Sequence, residues 1–358
     1  MNIKDRMILE DFRQYKENYI KLEEIAAEML KGIAKDCGIK PALIEHRVKD
    51  EKSLQGKLYK NSDWYQKLDD LTDLLGERVI CYFADEVDII GKRVEEVFKV
   101  DREKSSDKRK LIAANAFGYL SLHYIVNLPD DSGYPEELCK ISFEIQIRTI
   151  LQHAWAAIDH DIAYKSKFGV PRKITRSFSR LAGLLEIADD EFVRTRDAMN
   201  EYTTDTHEKI MNNTADDVEI NMVSLYEFVK YNRKMVEFLD ELAELCSAEI
   251  MEVDPESYLP LLSWLGKTKI GDLQEMLENN RDLAKKLIEN SLAATDLDII
   301  SSNVGLRCLC SAELLLKNYS EEKIIEFLQL SSRDRSRAEK GAKRILGIYE
   351  KLKEGTDD

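Results

Sequence analysis

The chain has 358 residues, enough for about two domains, and apolar residues make up 44% of it, which excludes a wholly disordered protein. Its formal net charge of −15 at pH 7 argues against a protein that coats nucleic acid through overall charge. Six cysteines are too few for a disulfide scaffold, no apolar stretch approaches the ~18 residues of a membrane helix, and the charged N-terminus does not resemble a secretion signal. We therefore expect a soluble, cytoplasmic protein with no membrane partner.

The predicted elements change in character along the chain. Residues 1–36 repeat apolar residues at helical spacing, and residues 1–40 are therefore predicted to form an N-terminal helical segment that packs on the following domain. Residues 41–170 interleave β-rich segments with helical patterns, which predicts an α+β fold with a mixed β-sheet flanked by helices. The predicted strands of this region are 74–83, 119–128 and 141–147, with helices at 85–98 and after Arg148. Residues 171–358 predict an all-α C-terminal region, including amphipathic helices at 272–293 and 321–353.

A basic cluster opens the middle region. Arg47 and Lys49 are two residues apart and share one face of a strand, whereas Ser53 and Lys57 are four apart and share one face of a helix. A strand that leads into a helix N-terminus with a hydroxyl and several cations is a reasonable phosphate cradle. The alternative is a solvated basic edge, since charge runs usually lie on exposed faces.

Two carboxylates belong to two predicted strands. Asp73 opens the first strand and suits a hard divalent cation, although a helix or turn cap is the alternative. Glu144 alternates with the apolar Phe143 and Ile145, so a central strand would place it in a pocket and an edge strand would place it in water. Flanked by cations and an aromatic residue, the two carboxylates suit magnesium-dependent phosphoryl-type transfer.

A third polar group lies on the predicted strand 119–128. Tyr119, Ser121 and His123 alternate and therefore share one face, next to Gly118, which permits close approach of the backbone. That face offers an aromatic platform, a hydroxyl and an imidazole. An ordinary half-buried strand is the alternative.

These clusters, in this order and spacing, resemble the synthetase domain of the RelA/SpoT alarmone synthetases, most closely the small stand-alone type. The family pattern is R-x-K with a later Ser and Lys, then D-L-x-G-x-R, G-Y-x-S-x-H and E-I-Q-I-R-T, and all four occur within residues 40–170. The resemblance implies a nucleotidyltransferase-like fold. It also implies a GTP pyrophosphokinase that transfers the β,γ-pyrophosphate of ATP to the 3′-hydroxyl of GDP or GTP, which yields the stringent-response alarmones ppGpp or pppGpp, and AMP.

The resemblance also implies roles for individual residues. Arg47 and Arg78 would stack on the adenine of ATP. Asp73 and Glu144 would hold magnesium, the implied cofactor, and Glu144 would also accept the proton of the attacking hydroxyl. The residues implied in holding the ATP phosphates are Lys49, Ser53 and Lys57. The residues implied in binding the acceptor nucleotide are Tyr119, His123, Gln146, Arg148, His153 and Asp159.

The sequence leaves the acceptor and the activity open at some points. Asn115 stands where the family often has Lys, and the basic residues Lys108–Lys110 just upstream would supply charge to the acceptor phosphates. One alternative is therefore a toxic family member that pyrophosphorylates tRNA 3′ ends or makes adenine alarmones, and another is a non-catalytic nucleotide sensor. The family's hydrolase domain would precede the synthetase, where only 40 residues stand, so we expect synthesis without hydrolysis. Residues 171–358 would serve a homo-oligomer or a protein partner, or would only buttress the first half.

Overall fold

A computed structural model describes residues 2–61, 63–111, 118, 120–165, 171–292, 298–332 and 334–354. The backbone packs into two compact units, Met1–Asp197 and Ala198–Asp358. In the part of the chain just defined, none of the helices combines the length and apolar character that a membrane span needs.

The first unit is a mixed five-stranded sheet with helices packed against it. Its strands are β1 (Leu43–Val48), β2 (Leu75–Cys81), β3 (Lys99–Asp107), β4 (Leu122–Asn127) and β5 (Phe143–Thr149). Its helices are α1 (Ile3–Asp36), α2 (Glu51–Lys60), α3 (Ala84–Val97), α4 (Lys108–Leu111), α5 (Glu136–Cys139) and α6 (Ile150–Lys165), and α7 (Arg172–Met211) begins in this unit and ends in the next. The predicted α+β class, with a mixed sheet and a helical C-terminal region, is confirmed.

The strand order β1-β2-β5-β4-β3 makes β5 the central strand. β2 and β5 run parallel, with Gly76 opposite Glu144, and the other neighbouring strands pair antiparallel. Because residues that pair across strands point to the same side of a sheet, the alternating polar residues of four strands share one face. These residues are Glu45, Arg47, Arg78, His123, Glu144 and Gln146. The central position of β5 excludes the edge-strand alternative for Glu144.

The opposite face of the sheet forms the core of the first unit. Phe143, Ile145 and Ile147 are fully buried there, together with apolar residues of α1 and α3. Burying three large apolar side chains from one strand stabilises the fold by several kcal/mol, at about 1.5–3 kcal/mol for each. The strict alternation along β5 therefore fixes which face carries the polar residues.

Helix α1 follows the predicted periodicity. The Asn2 side chain accepts a hydrogen bond from the Asp5 backbone N–H at 2.7 Å and so caps the N-terminus. Gly38 adopts φ +67° just past the C-terminus, a conformation that suits glycine and that ends the helix. The apolar stripe of α1 is buried, as expected for a helix packed on the sheet. Its fully buried members include Ile8, Phe12, Leu22 and Leu30.

The second unit consists mainly of helices around a separate apolar core. Besides the end of α7, it contains α8 (Met222–Tyr231), α9 (Arg233–Cys246), α10 (Leu259–Trp264), α11 (Ile270–Leu292), α12 (Val304–Leu316), α13 (Glu321–Ser331), α14 (Arg335–Glu354) and a short parallel pair, β6 (Glu249–Met251) and β7 (Ile299–Ser301). The prediction of one helix over 321–353 is wrong. The Asp334 carboxylate accepts hydrogen bonds from the backbone N–H groups of Ser336 and Arg337, which starts a new helix after α13.

Candidate active site

The parallel pairing of β2 and β5 brings the two predicted carboxylates to the same end of the sheet, where both strands begin. Asp73 lies in the turn just before β2, and Glu144 is the second residue of β5. Both line one pocket of about 160 Å³. The other residues from the sequence prediction that line this pocket are Arg47, Lys49, Arg78 and Gln146.

A larger groove lies elsewhere in the first unit. It has a volume of about 770 Å³ and runs between α1 and the segments around Leu68 and Glu136. None of the predicted site residues that the structure describes lines this groove. The smaller pocket is therefore the candidate active site, because it gathers the charged groups that the chemistry requires.

Asp73 is held between two lysines from different elements. Its Oδ2 accepts a hydrogen bond from Lys49 Nζ at 2.6 Å, and its Oδ1 forms an ion pair with Lys57 Nζ at 2.7 Å. Burial alone would raise the pKa of Asp73, but the hydrogen bonds and charges of the two lysines outweigh it, and its pKa is lowered. Burial likewise acts to lower the pKa of Lys57, yet Asp73 raises it overall. Asp73 and Lys57 are therefore both charged at neutral pH.

Glu144 is oriented by neighbours on β4 and β5. His123 Nδ1 lies 2.7 Å from its Oε1, and Gln146 Nε2 donates a hydrogen bond to its Oε2 at 2.8 Å. Burial would raise the pKa of Glu144, but these contacts lower it overall, against a smaller opposing contribution from the charge of Asp73. The two carboxylates are thus both ionised and close enough to influence each other.

The predicted adenine-stacking arginines lie on the same face of the sheet as Glu144. Arg47 is on β1 opposite Gly76, and Arg78 is on β2 opposite Glu45. Arg78 Nη1 donates a hydrogen bond to Glu45 Oε2 at 3.3 Å. Glu45 belongs to none of the predicted motifs, although its alternation with Arg47 along β1 predicts its position on this face.

Ser53 lies near the start of α2 and interacts with its cap. Its backbone N–H and its hydroxyl donate hydrogen bonds to the two oxygens of the Asp50 carboxylate, at 2.9 and 2.6 Å. Asp50 is therefore the N-cap of the helix that carries Lys57. Ser53 does not line the pocket as the structure stands.

The residues predicted for the acceptor nucleotide divide into two groups. His123 and Gln146 lie beside Glu144, as described above. Arg148 is nearly buried at the end of β5, where its Nη2 lies 3.0 Å from His153 Nδ1 at the start of α6. Burial, and then the charge of Arg148, lower the pKa of His153. Asp159 is half-buried two turns further along α6, and neither His153 nor Asp159 lines the pocket.

Two residues of the sequence prediction, Tyr119 and Asn115, lie outside the described residues. The basic segment upstream of them is described. Arg109 donates hydrogen bonds to Asp107 at 2.8 and 2.9 Å and to Asp88 at 2.7 Å, so its charge is already balanced by two carboxylates. Arg109, which belongs to this basic segment, is therefore poorly placed to bind the acceptor phosphates.

The donor groups in the pocket fit magnesium. Within the described ranges, no cluster of three or more His, Cys, Asp or Glu side chains is arranged to enclose a metal ion. Magnesium, however, is usually held by one or two carboxylates together with substrate phosphates and water, rather than by an all-protein cage. Asp73 and Glu144 supply such a pair of carboxylate oxygen donors at the end of the sheet where β2 and β5 begin.

Comparisons with known proteins identify the relatives of this chain. A model of the region found in RelA/SpoT proteins matches residues 46–168. The GTP pyrophosphokinases YjbM and YwaC of Bacillus subtilis (strain 168) are each 29% identical over 156 residues, which cover 43% and 42% of this chain, respectively, and 72% of each relative. The structure of small alarmone synthetase 1 from Bacillus subtilis bound to its product pppGpp is 24% identical, with a TM-score of 0.45, over 53% of this chain and 98% of that chain. The resemblance predicted from the four motifs is confirmed.

Proposed function

We propose that this chain is an ATP-dependent GTP pyrophosphokinase, because residues 46–168 match a model of the region found in RelA/SpoT proteins. The observation that carries the proposal is the meeting of Asp73 and Glu144 in one pocket that also contains the cations of Arg47, Lys49 and Arg78. A pyrophosphoryl group carries several negative charges, so its transfer requires this kind of environment. The names of the relatives YjbM and YwaC support the same activity.

The donor ATP would occupy the β1–β2 side of the pocket. Arg47 and Arg78 would stack on the adenine through their planar guanidinium groups. Lys49 and Lys57 would bind the phosphates, together with Ser53 once its hydroxyl turns away from Asp50. The half-buried positions of both lysines support this role, because limited contact with water strengthens a charge–phosphate interaction.

The acceptor GDP or GTP would occupy the β4 side of the sheet. Tyr119 would stack on the guanine, and His123 and Gln146 would position the ribose beside Glu144. Three further residues would complete the acceptor site from the end of β5 and from α6. They are Arg148, His153 and Asp159.

In the proposed reaction, the 3′-hydroxyl oxygen of the acceptor attacks the β-phosphorus of ATP. The bond between the β-phosphorus and the α,β-bridging oxygen breaks, AMP leaves, and Glu144 accepts the hydroxyl proton. Asp73 and Glu144 would hold the magnesium ion, which when bound would neutralise charge on the transferring group. The contacts from His123 and Gln146 keep the Glu144 carboxylate ionised for these tasks.

We assign the roles of the segments on the same basis. Residues 41–170 would form the synthetase domain, and residues 1–40 would pack on it. Residues 171–358 would mediate self-association or bind a protein partner. Size measurement by light scattering, with and without residues 171–358, tests the last assignment if the shortened chain retains its folded circular-dichroism spectrum.

The proposed activity is tested by incubating the purified chain with ATP, magnesium and each of GMP, GDP, GTP, ATP and tRNA in turn. We expect a guanine nucleotide with a 3′-pyrophosphate and an equal amount of AMP, and no product when magnesium is chelated. If product forms only with tRNA, or only with ATP as the acceptor, then that molecule and not a guanine nucleotide is the acceptor. Absence of AMP and product with every acceptor would overturn the proposal.

A further inference from the structure

The Asp73 carboxylate contacts one lysine ammonium group through each of its oxygens. The contacts are 2.6 Å to Lys49 and 2.7 Å to Lys57, and the exposed fractions of the side chains are 31% for Asp73, 12% for Lys49 and 25% for Lys57. We call these three residues the lysine–aspartate cluster. At these short distances, and with limited contact with water, the carboxylate and both ammonium groups are already paired with one another.

Under the proposed function, the cluster cannot keep these contacts when both ligands bind. A divalent cation on Asp73 would lie next to two positively charged ammonium groups, which repel it. Conversely, lysines that are paired with Asp73 are not available to the phosphates of ATP. The contacts that the structure shows therefore compete with both binding events.

We propose that the lysine–aspartate cluster exchanges partners as one unit, so that the divalent cation and the ATP triphosphate bind with positive coupling. Asp73 passes from the lysines to the cation, and the lysines pass from Asp73 to phosphate oxygens. No covalent bond changes. This inference rests on the proposed function, and it adds that either ligand alone binds weakly, because each alone must break ion pairs without replacing all of them.

The positions of the two lysines allow this exchange without a change of fold. The Lys49 backbone N–H donates a hydrogen bond to the Leu74 carbonyl at 2.7 Å, which fixes the chain beside Asp73. Lys57 projects from α2, and its ammonium group also lies 5.3 Å from the centre of the Tyr65 ring. Lys49 lines the pocket, and Lys57 contacts the pocket residue Asp73, so the exchange would turn both ammonium groups from Asp73 towards the triphosphate.

Equilibrium binding tests the proposal with a readout that does not depend on turnover. Calorimetry would measure Mn²⁺ alone, the α,β-methylene analogue of ATP alone in EDTA, and the analogue with Mn²⁺. In the unmodified protein we expect each ligand to tighten the other by about tenfold or more, beyond the association of Mn²⁺ with the analogue in solution, which a titration without protein measures. Thermal unfolding would establish that each variant below is folded.

Two variants give opposite and specific signs. Asp73→Asn should bind the analogue in EDTA about fivefold more tightly than the unmodified protein, because the lysines are released, and should lose most of the coupling. Lys57→Met should bind Mn²⁺ alone more tightly and the analogue less tightly. Lys52→Met, an exposed lysine on the same helix, is the matched control and should retain the coupling.

Weaker or unchanged binding of the metal-free analogue by folded Asp73→Asn would overturn the exchange. So would unchanged Mn²⁺ affinity in Lys57→Met. If the unmodified protein forms product while these signs are absent, the exchange fails and the proposed function stands. If no acceptor yields product, the proposed function fails whatever the binding data show.

Discussion

The two faces of the five-stranded sheet are built from alternate residues of the same strands but serve different ends. On β5, Glu144 and Gln146 face the pocket, whereas Phe143, Ile145 and Ile147 face the core. The charged residues of the polar face contribute little to the stability of the fold. The apolar side chains of the opposite face are buried, and their burial holds the strands in register. Neighbouring substitutions should therefore separate activity from stability.

A substitution on the polar face should cause the greatest loss of activity. Glu144→Gln removes one of the two carboxylate charges that the proposed metal site requires, so the rate of AMP formation should fall about 10³-fold. The free energy of unfolding in urea should change little, because the amide keeps the shape of the side chain. A rate within tenfold of the unmodified enzyme would contradict the metal and proton roles of Glu144.

The next residue along the strand should show the reverse. Ile145 is fully buried, and Ile145→Ala should lower the free energy of unfolding by about 2–5 kcal/mol through lost burial and a cavity. Urea melts followed by circular dichroism would measure it, and initial rates at low temperature would be normalised to the folded fraction. A large loss of rate per folded molecule would show that the two faces are not separable.

Glu77 departs from this division of the two faces, because its carboxyl group lies on the core face of β2, opposite Ile145. It is fully buried, and neither of its oxygens has a hydrogen-bond partner among the described residues. Burial, and to a lesser extent the charge of Glu23, raise its pKa from 4.5 to about 9. In the folded protein it is therefore protonated at neutral pH.

This raised pKa predicts a pH dependence of stability. The folded state binds the proton more tightly than the unfolded state, so the contribution of Glu77 is complete below pH 4.5 and is lost as the pH rises towards 9. Glu77→Leu should remove this loss and stabilise the fold by about 1–3 kcal/mol at pH 8. Urea melts of both proteins between pH 5 and pH 9 would measure it. Parallel curves for the two proteins would mean that Glu77 does not titrate in this range.

The smallest effect is expected for the ion pair between Arg78 and Glu45. Both side chains are more than a third exposed, at 43% and 38%. Glu45→Gln should therefore change the free energy of unfolding by less than about 1 kcal/mol. A larger loss in urea melts would show that the polar face also holds the fold together.

Much of the fold could be predicted because its signals are local. The alternation of Phe143–Thr149 and the periodicity of α1 each follow from packing against one core, and the structure has both. Strand β3 was not predicted, since its residues KVDREKSSD are mostly polar and lack alternation. It forms because β4 offers a free edge for pairing, which is tertiary information.

The motifs predicted several residues that line the pocket, but they did not predict the contacts among them. The motifs predicted that Asp73 and Glu144 are functional, and the parallel register of β2 and β5 explains why the two residues line the same pocket. The pairing of Asp73 with two lysines, and of Arg78 with Glu45, depends on side chains 16 to 33 residues apart, and no spacing rule gives such pairs. Asp73 is 24 residues from Lys49 and 16 from Lys57 along the chain.

The parallel pairing of β2 and β5 also has a consequence for how a protein of this fold can change during evolution. The long connection from Tyr82 to Ser142 leaves one strand and returns beside it, so loops within it can lengthen or shorten without altering the spacing of Asp73 and Glu144. Strand β4, which we propose faces the acceptor nucleotide, belongs to that connection. Descendants of one ancestral protein can thus acquire new substrates by loop exchange while inheriting an unchanged acidic pair.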